Sequence, residues 1–338
     1  MITIDGAAGE GGGQVLRSAC ALSLITGESF RVTQIRGGRA KPGLMRQHVT
    51  AVEAACAVGG AACDGLAVGS SELVFRPGRV VPGDYRFAIG TAGSTALVLQ
   101  TILPPLMLAA APSHLVLEGG THNMAAPPFE FLARTFLPIV NRMGPRIEAR
   151  LVRHGFYPRG GGRVEIDIAP GKLTAPVCRA RGALVARSAT ALFAGLPFEI
   201  ADREIATARR ALTDWPEHAF AVRQLPQEEG PGNILLLEAR FEQVTEIVSG
   251  FGQLGVSAEM VAKTAAARMA GYLASAAFAG PYLADQLLLP FALAGGGAFT
   301  TVKPSEHSLT SAALIERFLG RRYTFERTES GIHHVSVA

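Results

Sequence analysis

Three stretches of this chain carry residue types that could do chemistry on a phosphate. The first is Gly9-Glu10-Gly11-Gly12-Gly13-Gln14, just before a run with helical spacing. A glycine-rich turn at a helix N-terminus exposes backbone N–H groups, and these bind phosphate well. No Gly-Lys-Ser/Thr follows, so the turn is not a P-loop, and its spacing is not GxGxxG. Glu10 could hold a divalent cation beside phosphates, and Arg17, one turn further on, could point back at the same anion. A tight turn with a solvated glutamate is the alternative.

The second is a run of cations. Arg31, Arg36, Arg39, Lys41 and Arg46 have no acid among them between Glu28 and Glu53, and His48 joins them. Arginines grip phosphates bidentately, so the run suits an anion site; a solvated basic face is the alternative. A further basic stretch, Arg142, Arg146, Arg150, Arg153, Arg159 and Arg163 against Glu148, runs through Phe156-Tyr157 and a Gly160-Gly161-Gly162 turn. Single-stranded RNA can use such aromatics, although a pair of this kind is more often core.

The third is Ser305-Glu306-His307-Ser308-Leu309-Thr310. Residues 309–319 have helical spacing, which places His307 at or just before a helix N-terminus. The helix dipole there disfavours imidazolium, and a neutral imidazole can act as a nucleophile. A capping or surface histidine is the alternative. His333-His334 falls in an alternating C-terminal segment and reads as an edge feature; His122, beside Asn123, reads as a loop residue. No HxH, HExxH or GxSxG occurs, which argues against a structural metal and a hydrolase elbow.

The scaffold for these residues reads as alternating strands and helices. Segments 2–4, 30–35, 73–75, 85–89 and 115–117 look like strands. Segments 14–25, 44–58, 95–108 and 129–143 have helical spacing, with Pro42 marking the start of the second and Gly27 stopping the first. Glycine runs at 11–13, 119–120, 160–162 and 295–297 suggest equivalent corners of a loosely repeated unit. From 181 to about 273 charges become more frequent and the single Trp215 appears, which suggests an insert in a larger unit. The 338 residues, 48% hydrophobic and 18% charged, give an α/β or α+β protein room for a large core and exclude disorder as the main state. A net charge of +4 permits an anionic partner without demanding one. The four cysteines form no CxxC pair, so reduced thiols in a cytoplasmic protein are expected. The longest apolar stretch, 96–111, holds Gln100 and Pro104-Pro105 and is too short to span a bilayer.

Taken together, the motifs resemble those of the RNA 3′-terminal phosphate cyclases. The matching segments are 9–27, 35–52, 84–104, 119–128, 153–162, 202–205, 230–233, 282–290 and the His307 segment, in the family's order along nearly the whole chain. The resemblance implies three steps. His307 attacks the α-phosphate of ATP, AMP passes to an RNA 3′-phosphate, and the neighbouring 2′-hydroxyl closes a 2′,3′-cyclic phosphate. By the same resemblance Gln100, Tyr282, Leu283, Ala284, Asp285 and Gln286 contact ATP. Arg17, Arg39, Lys41, Arg46, Gln47 and His48 handle phosphate or the RNA end, and Glu10 binds Mg²⁺ or Mn²⁺. The family's His-x-x-Thr-Asn pattern is His307-Ser-Leu-Thr310-Ser311 here, which implies altered fine positioning.

The implied fold is a large domain (1–180 and 276–338) of three repeated units, each a four-stranded sheet with two helices, plus a smaller inserted α/β domain (181–275). The implied partner is RNA with a 3′-phosphate end, with a homodimer as an open option and no membrane. A branch of the same fold serves ribosome assembly as non-catalytic RNA-binding proteins; His307 argues against it. A small-molecule transferase on a related scaffold is a third reading.

Overall fold

The computed structural model describes every residue except Glu10, so the expected metal ligand lies outside the described residues. The chain starts with β1 (Ile2–Asp5), α1 (Gly13–Thr26), β2 (Phe30–Thr33), α2 (Arg46–Gly59), β3 (Ala62–Asp64) and β4 (Leu73–Arg76). Phe30 and Val32 of β2 alternate with exposed or half-buried Arg31 and Thr33, so one face of the sheet is core. The sheet order is β1-β2-β4-β3, with β1 and β2 parallel and the other pairs antiparallel. α1 stops where Gly27 turns left-handed at φ 77°.

The same plan recurs in β5 (Asp84–Ala88), α3 (Thr95–Leu106), β6 (Ser113–Gly119), α4 (Phe129–Phe131), a π-helical turn (Leu132–Phe136), α5 (Leu137–Arg142), β7 (Arg146–Arg153) and β8 (Gly162–Ala169). Its order is β5-β6-β8-β7, again with only the first pair parallel. A third copy opens with β9 (Val177–Cys178) and is then interrupted. The intervening chain is β10 (Leu184–Ala194), α6 (Phe198–Ala211), β11 (Phe220–Gln224), β12 (Gly232–Phe241), β13 (Thr245–Phe251) and α7 (Ala258–Ala274), with its own sheet β11-β10-β12-β13. The third copy resumes with α8 (Pro281–Leu293), β14 (Gly297–Thr301), α9 (Glu306–Leu319), β15 (Tyr323–Arg327) and β16 (His333–Val337). Its sheet, β15-β16-β14-β9, pairs β9 in parallel with β14 across the interruption.

Three sheets therefore share one connectivity, each with two helical segments, and a fourth sheet with a different strand order sits inside the third. Phe30 stacks on Phe75 with centroids 5.5 Å apart, and Phe318 of α9 meets Phe30 edge-on at 6.3 Å. α9 thus docks on the first sheet, while α1 packs against both α3 and α9. This packing brings the two ends of the chain together at the site.

Several local expectations change. α2 starts at Arg46, not Pro42, because the chain from 34 to 45 is spent in turns that put Gln34 and Arg36 at positive φ. Pro104 and Pro105 lie in the last turn of α3 and do not divide it. The glycine runs are not equivalent corners: they precede α1, follow β6, precede β8 and precede β14. His333 and His334 sit on β16, which is paired on both sides and is no edge. Among the described residues no helix is long and apolar enough to cross a membrane.

Candidate active site

α9 begins behind Ser305, whose Oγ accepts the Ser308 N–H at 3.0 Å. That cap fixes the first turn and sets His307 at its second residue. Asp285 of α8 accepts the Ser305 hydroxyl at 2.7 Å and also the Ser308 hydroxyl. A carboxylate here complements the positive end of the helix dipole. From the first turn of α1, Gln14 places Oε1 on Nδ1 of His307 and donates from Nε2 to Ser311 Oγ at 2.7 Å. An amide oxygen only accepts, so Nδ1 carries the ring proton and the lone pair lies on Nε2. Burial holds the imidazole below its ordinary basicity; Asp285 opposes this, and Arg39 and Arg17 add to it. The ring is neutral at neutral pH, as the helix N-terminus suggested, although burial is the leading cause. Asp285 is shifted upward, chiefly by burial, with the two serines and His307 opposing.

Beside His307 opens a cleft with a cavity volume of about 530 Å³. That is inside the roughly 300–1,000 Å³ range of small-molecule sites. Gln14, Arg17, Gln100, Tyr282, Asp285, Gln286 and His307 line one side. The loop 124–128 forms a second wall. Phe251 of β13 and Met260, Thr264 and Arg268 of α7 form a third. Leu283 and Ala284 do not line the cleft; they are buried in the core, because the helical rotation turns 282, 285 and 286 one way and 283, 284 and 287 the other.

The cationic set is divided. Arg17 is half-buried against the cleft, its Nε is buried without a hydrogen-bond partner among the described residues, and burial lowers its pKa to about 10. A buried guanidinium with an orphan N–H is costly unless an anion completes it. Arg39 lies in the exposed turn before α2, close enough for its charge to act on His307. Lys41 and Arg46 are exposed and outside the cleft lining. Gln47 Oε1 accepts the Ser94 N–H at 3.4 Å, at the start of α3.

His48 adds no positive charge. Its Nδ1 accepts the Met45 N–H at 3.0 Å, and burial, then Arg17 and Arg36, push its pKa down to about 3. A Cβ on Gly13 would overlap His48 Nε2 and lie 2.9 Å from Arg17 Nη1. The glycine turn therefore lets these side chains close on α1.

The second basic stretch is largely committed to the fold. Arg146 pairs with Glu148, and Arg150 and Arg163 both pair with Glu165. Arg142, Arg153 and Arg159 donate to the carbonyls of Gln243, Glu228 and Gly230. Phe156 is core and Tyr157 is exposed, so the aromatic pair is split between two roles.

Sequence reasoning missed Gln14 as the partner of His307, the Ser305–Asp285–Ser308 cluster and the wall built by β13 and α7. A serine before an apolar helical run was a readable cap signal. Nothing local links Gln14 to a histidine 293 residues away. Ser311, which accepts from Gln14 Nε2, bears on the orientation of Gln14.

Residues 8–325 match the family model described as RNA 3′-terminal phosphate cyclase. The chain is also similar to the RNA 3′-terminal phosphate cyclase of Koribacter versatilis (strain Ellin345), being 51% identical over 331 residues, which cover 98% of this chain and 93% of that protein. On the strength of both matches, which run across all of the elements gathered around His307, this chain belongs to the RNA 3′-terminal phosphate cyclase family.

Proposed function

We propose that the protein converts an RNA 3′-terminal phosphate to a 2′,3′-cyclic phosphodiester, with ATP as the second substrate and His307 as the nucleophile. The observation that carries this reading is the Gln14 Oε1–His307 Nδ1 bond at the wall of a nucleotide-sized cleft. It directs the lone pair of Nε2 to the chemistry. Nε2 attacks the α-phosphorus of ATP, an N–P bond forms, and pyrophosphate leaves. As the ring gains positive character, Nδ1–H donates more strongly to Gln14 and steadies the adduct. An oxygen of the RNA 3′-phosphate then displaces the imidazole from that phosphorus. Finally the 2′-hydroxyl attacks the 3′-phosphorus, loses its proton, and AMP departs. A terminal phosphate alone has a poor leaving group; adenylylation supplies a good one.

In this reading Gln100, Tyr282 and Gln286 hold the nucleoside, and Arg17 and Arg39 hold phosphate. A divalent ion, Mg²⁺ or Mn²⁺, would offset triphosphate charge, with Glu10 as its ligand. A Cβ on Gly9 would overlap Thr310 Oγ1, so residue 9 adjoins the first turn of α9. Residues 1–180 with 276–338 act as the large domain, and 181–275 as an inserted domain that walls the cleft. The working compartment is the cytoplasm.

The test is incubation with ATP labelled at the α-phosphate. An acid-labile, base-stable label on the protein is expected, together with cyclisation of an RNA 3′-phosphate, and both are lost in His307→Ala. A folded wild type that takes no label, or a labelled His307→Ala variant, overturns the mechanism. RNA binding without label would instead indicate a non-catalytic factor.

A further inference from the structure

Outside the cleft lining, two histidines and two glutamates gather where the second unit meets the inserted segment. His122 follows β6, Glu130 lies in α4, and His154 follows β7; Glu229 reaches in from the turn Gln227–Glu229 of the inserted segment. The side chains of His122 and Glu130 are 0% and 9% exposed, and those of His154 and Glu229 13% and 14%. His122 Nε2 meets Glu130 Oε2 at 2.8 Å, and the two imidazoles stack with centroids 5.2 Å apart. One ligand atom from each of His122, Glu130 and His154 lies within 4.8 Å of the others. Among the described residues, the ion-pair partners of Glu130 and Glu229 are these histidines and no lysine or arginine.

We propose that His122, Glu130 and His154 bind one divalent transition-metal ion of the zinc type. Two imidazoles and a carboxylate form a donor set suited to zinc. Ligand atoms around a tetrahedral ion at about 2.0–2.1 Å are roughly 3.4 Å apart, so the widest pair of donors need close by no more than about 1.4 Å. The surrounding shell is already in place. Thr121 Oγ1 holds Nδ1 of His122 at 2.8 Å, and Glu229 Oε2 holds Nδ1 of His154 at 2.6 Å. Ligating histidines typically have their second nitrogen anchored this way, which leaves Nε2 for the metal. The ion would also offset buried carboxylate charge. Its place in the chain gives it a structural role, since His122 and Glu130 bracket the loop 124–128 that walls the cleft, and Glu229 belongs to the inserted segment. The ion ties these together at a position separate from His307.

The test uses the full chain, stripped with a chelator and reloaded with Zn²⁺ or Co²⁺. Elemental analysis after desalting is expected to find one ion per chain. Co²⁺ should give the visible absorption of a four-coordinate site, and reloading should raise the thermal midpoint. His154→Gln and Glu130→Gln should lose the bound ion and the midpoint shift, while Glu229→Gln should weaken affinity by about 10- to 100-fold. His307→Ala should retain the ion. Should the glutamine variants fail to fold, His154→Cys keeps a ligand and should add a sulfur-to-cobalt charge-transfer band in the near ultraviolet. Wild type that retains no ion after desalting overturns the proposal. So does binding that survives unchanged in His154→Gln, or loss of the ion in folded His307→Ala.

Discussion

Glu246 makes a sharp prediction about how this protein responds to pH. Its carboxyl is fully buried in β13, where Oε2 accepts the Gly280 N–H at 3.0 Å, at the residue that caps α8. Burial raises its pKa from 4.5 to about 8, partly opposed by that hydrogen bond. The folded state therefore holds a proton that the unfolded chain releases above pH 4.5. The stability this provides is fully present below pH 4.5 and is lost progressively until the pH passes about 8. Between pH 5 and pH 8 the loss through this one group is about 3 kcal/mol. Glu246→Gln removes the titration but keeps an acceptor for Gly280. Urea unfolding of both proteins across this pH range measures the difference. The variant should gain on the wild type by about 3 kcal/mol from the acid to the alkaline end. Any packing penalty of the amide shifts the whole difference curve and leaves its slope unchanged. Parallel profiles would refute the reasoning and place an ionised carboxylate, or a cation, at this spot.

Other outcomes follow from the site. Glu204 is raised to about 8 by burial, against a hydrogen bond from Asn233 at 2.6 Å, so Glu204→Gln should flatten the same pH window independently. Ser305→Ala removes the α9 cap and should cost about 1 kcal/mol in denaturant unfolding, with a larger fractional loss of adduct formation because His307 sits in that turn. Since His307 lies below its ordinary pKa of 6.5, the rate of adduct formation should stay flat as pH falls to 6.5 and decline only below it. Asp285→Asn should move that decline to still lower pH, because Asp285 supports the imidazolium. Gly13→Ala should fold yet lose phosphate-dependent binding in an equilibrium titration, because its Cβ displaces His48 and Arg17.

What could be read from the sequence was local. The spacing of Val15, Ala19 and Leu22 and the stop at Gly27 gave α1 nearly to the residue, because amphipathic period and a left-handed glycine are properties of adjacent residues. His307 at a helix start was legible for the same reason. The three-residue β3 was invisible, since Ala62-Cys63-Asp64 has little intrinsic strand preference and is held by pairing with β4. His48 looked like one more cation because a sequence does not show burial beside two arginines. Leu283 and Ala284 stood inside a motif whose helical rotation sends them to the core. The Gln14–His307 contact depends on α1 and α9 docking from opposite termini, and no window of neighbouring residues contains it.

That docking has a consequence for the chain as it is made. The amide emerges from the ribosome well before the imidazole, which follows 293 residues later. The short β9 must likewise wait for β14 before it has a neighbour in its sheet. Nascent and truncated chains therefore possess half of the pair and an open third sheet, whatever else has already collapsed. In the proposed mechanism competence arrives with α9, so a chain that stops before it lacks the nucleophile even when its first two sheets are well formed.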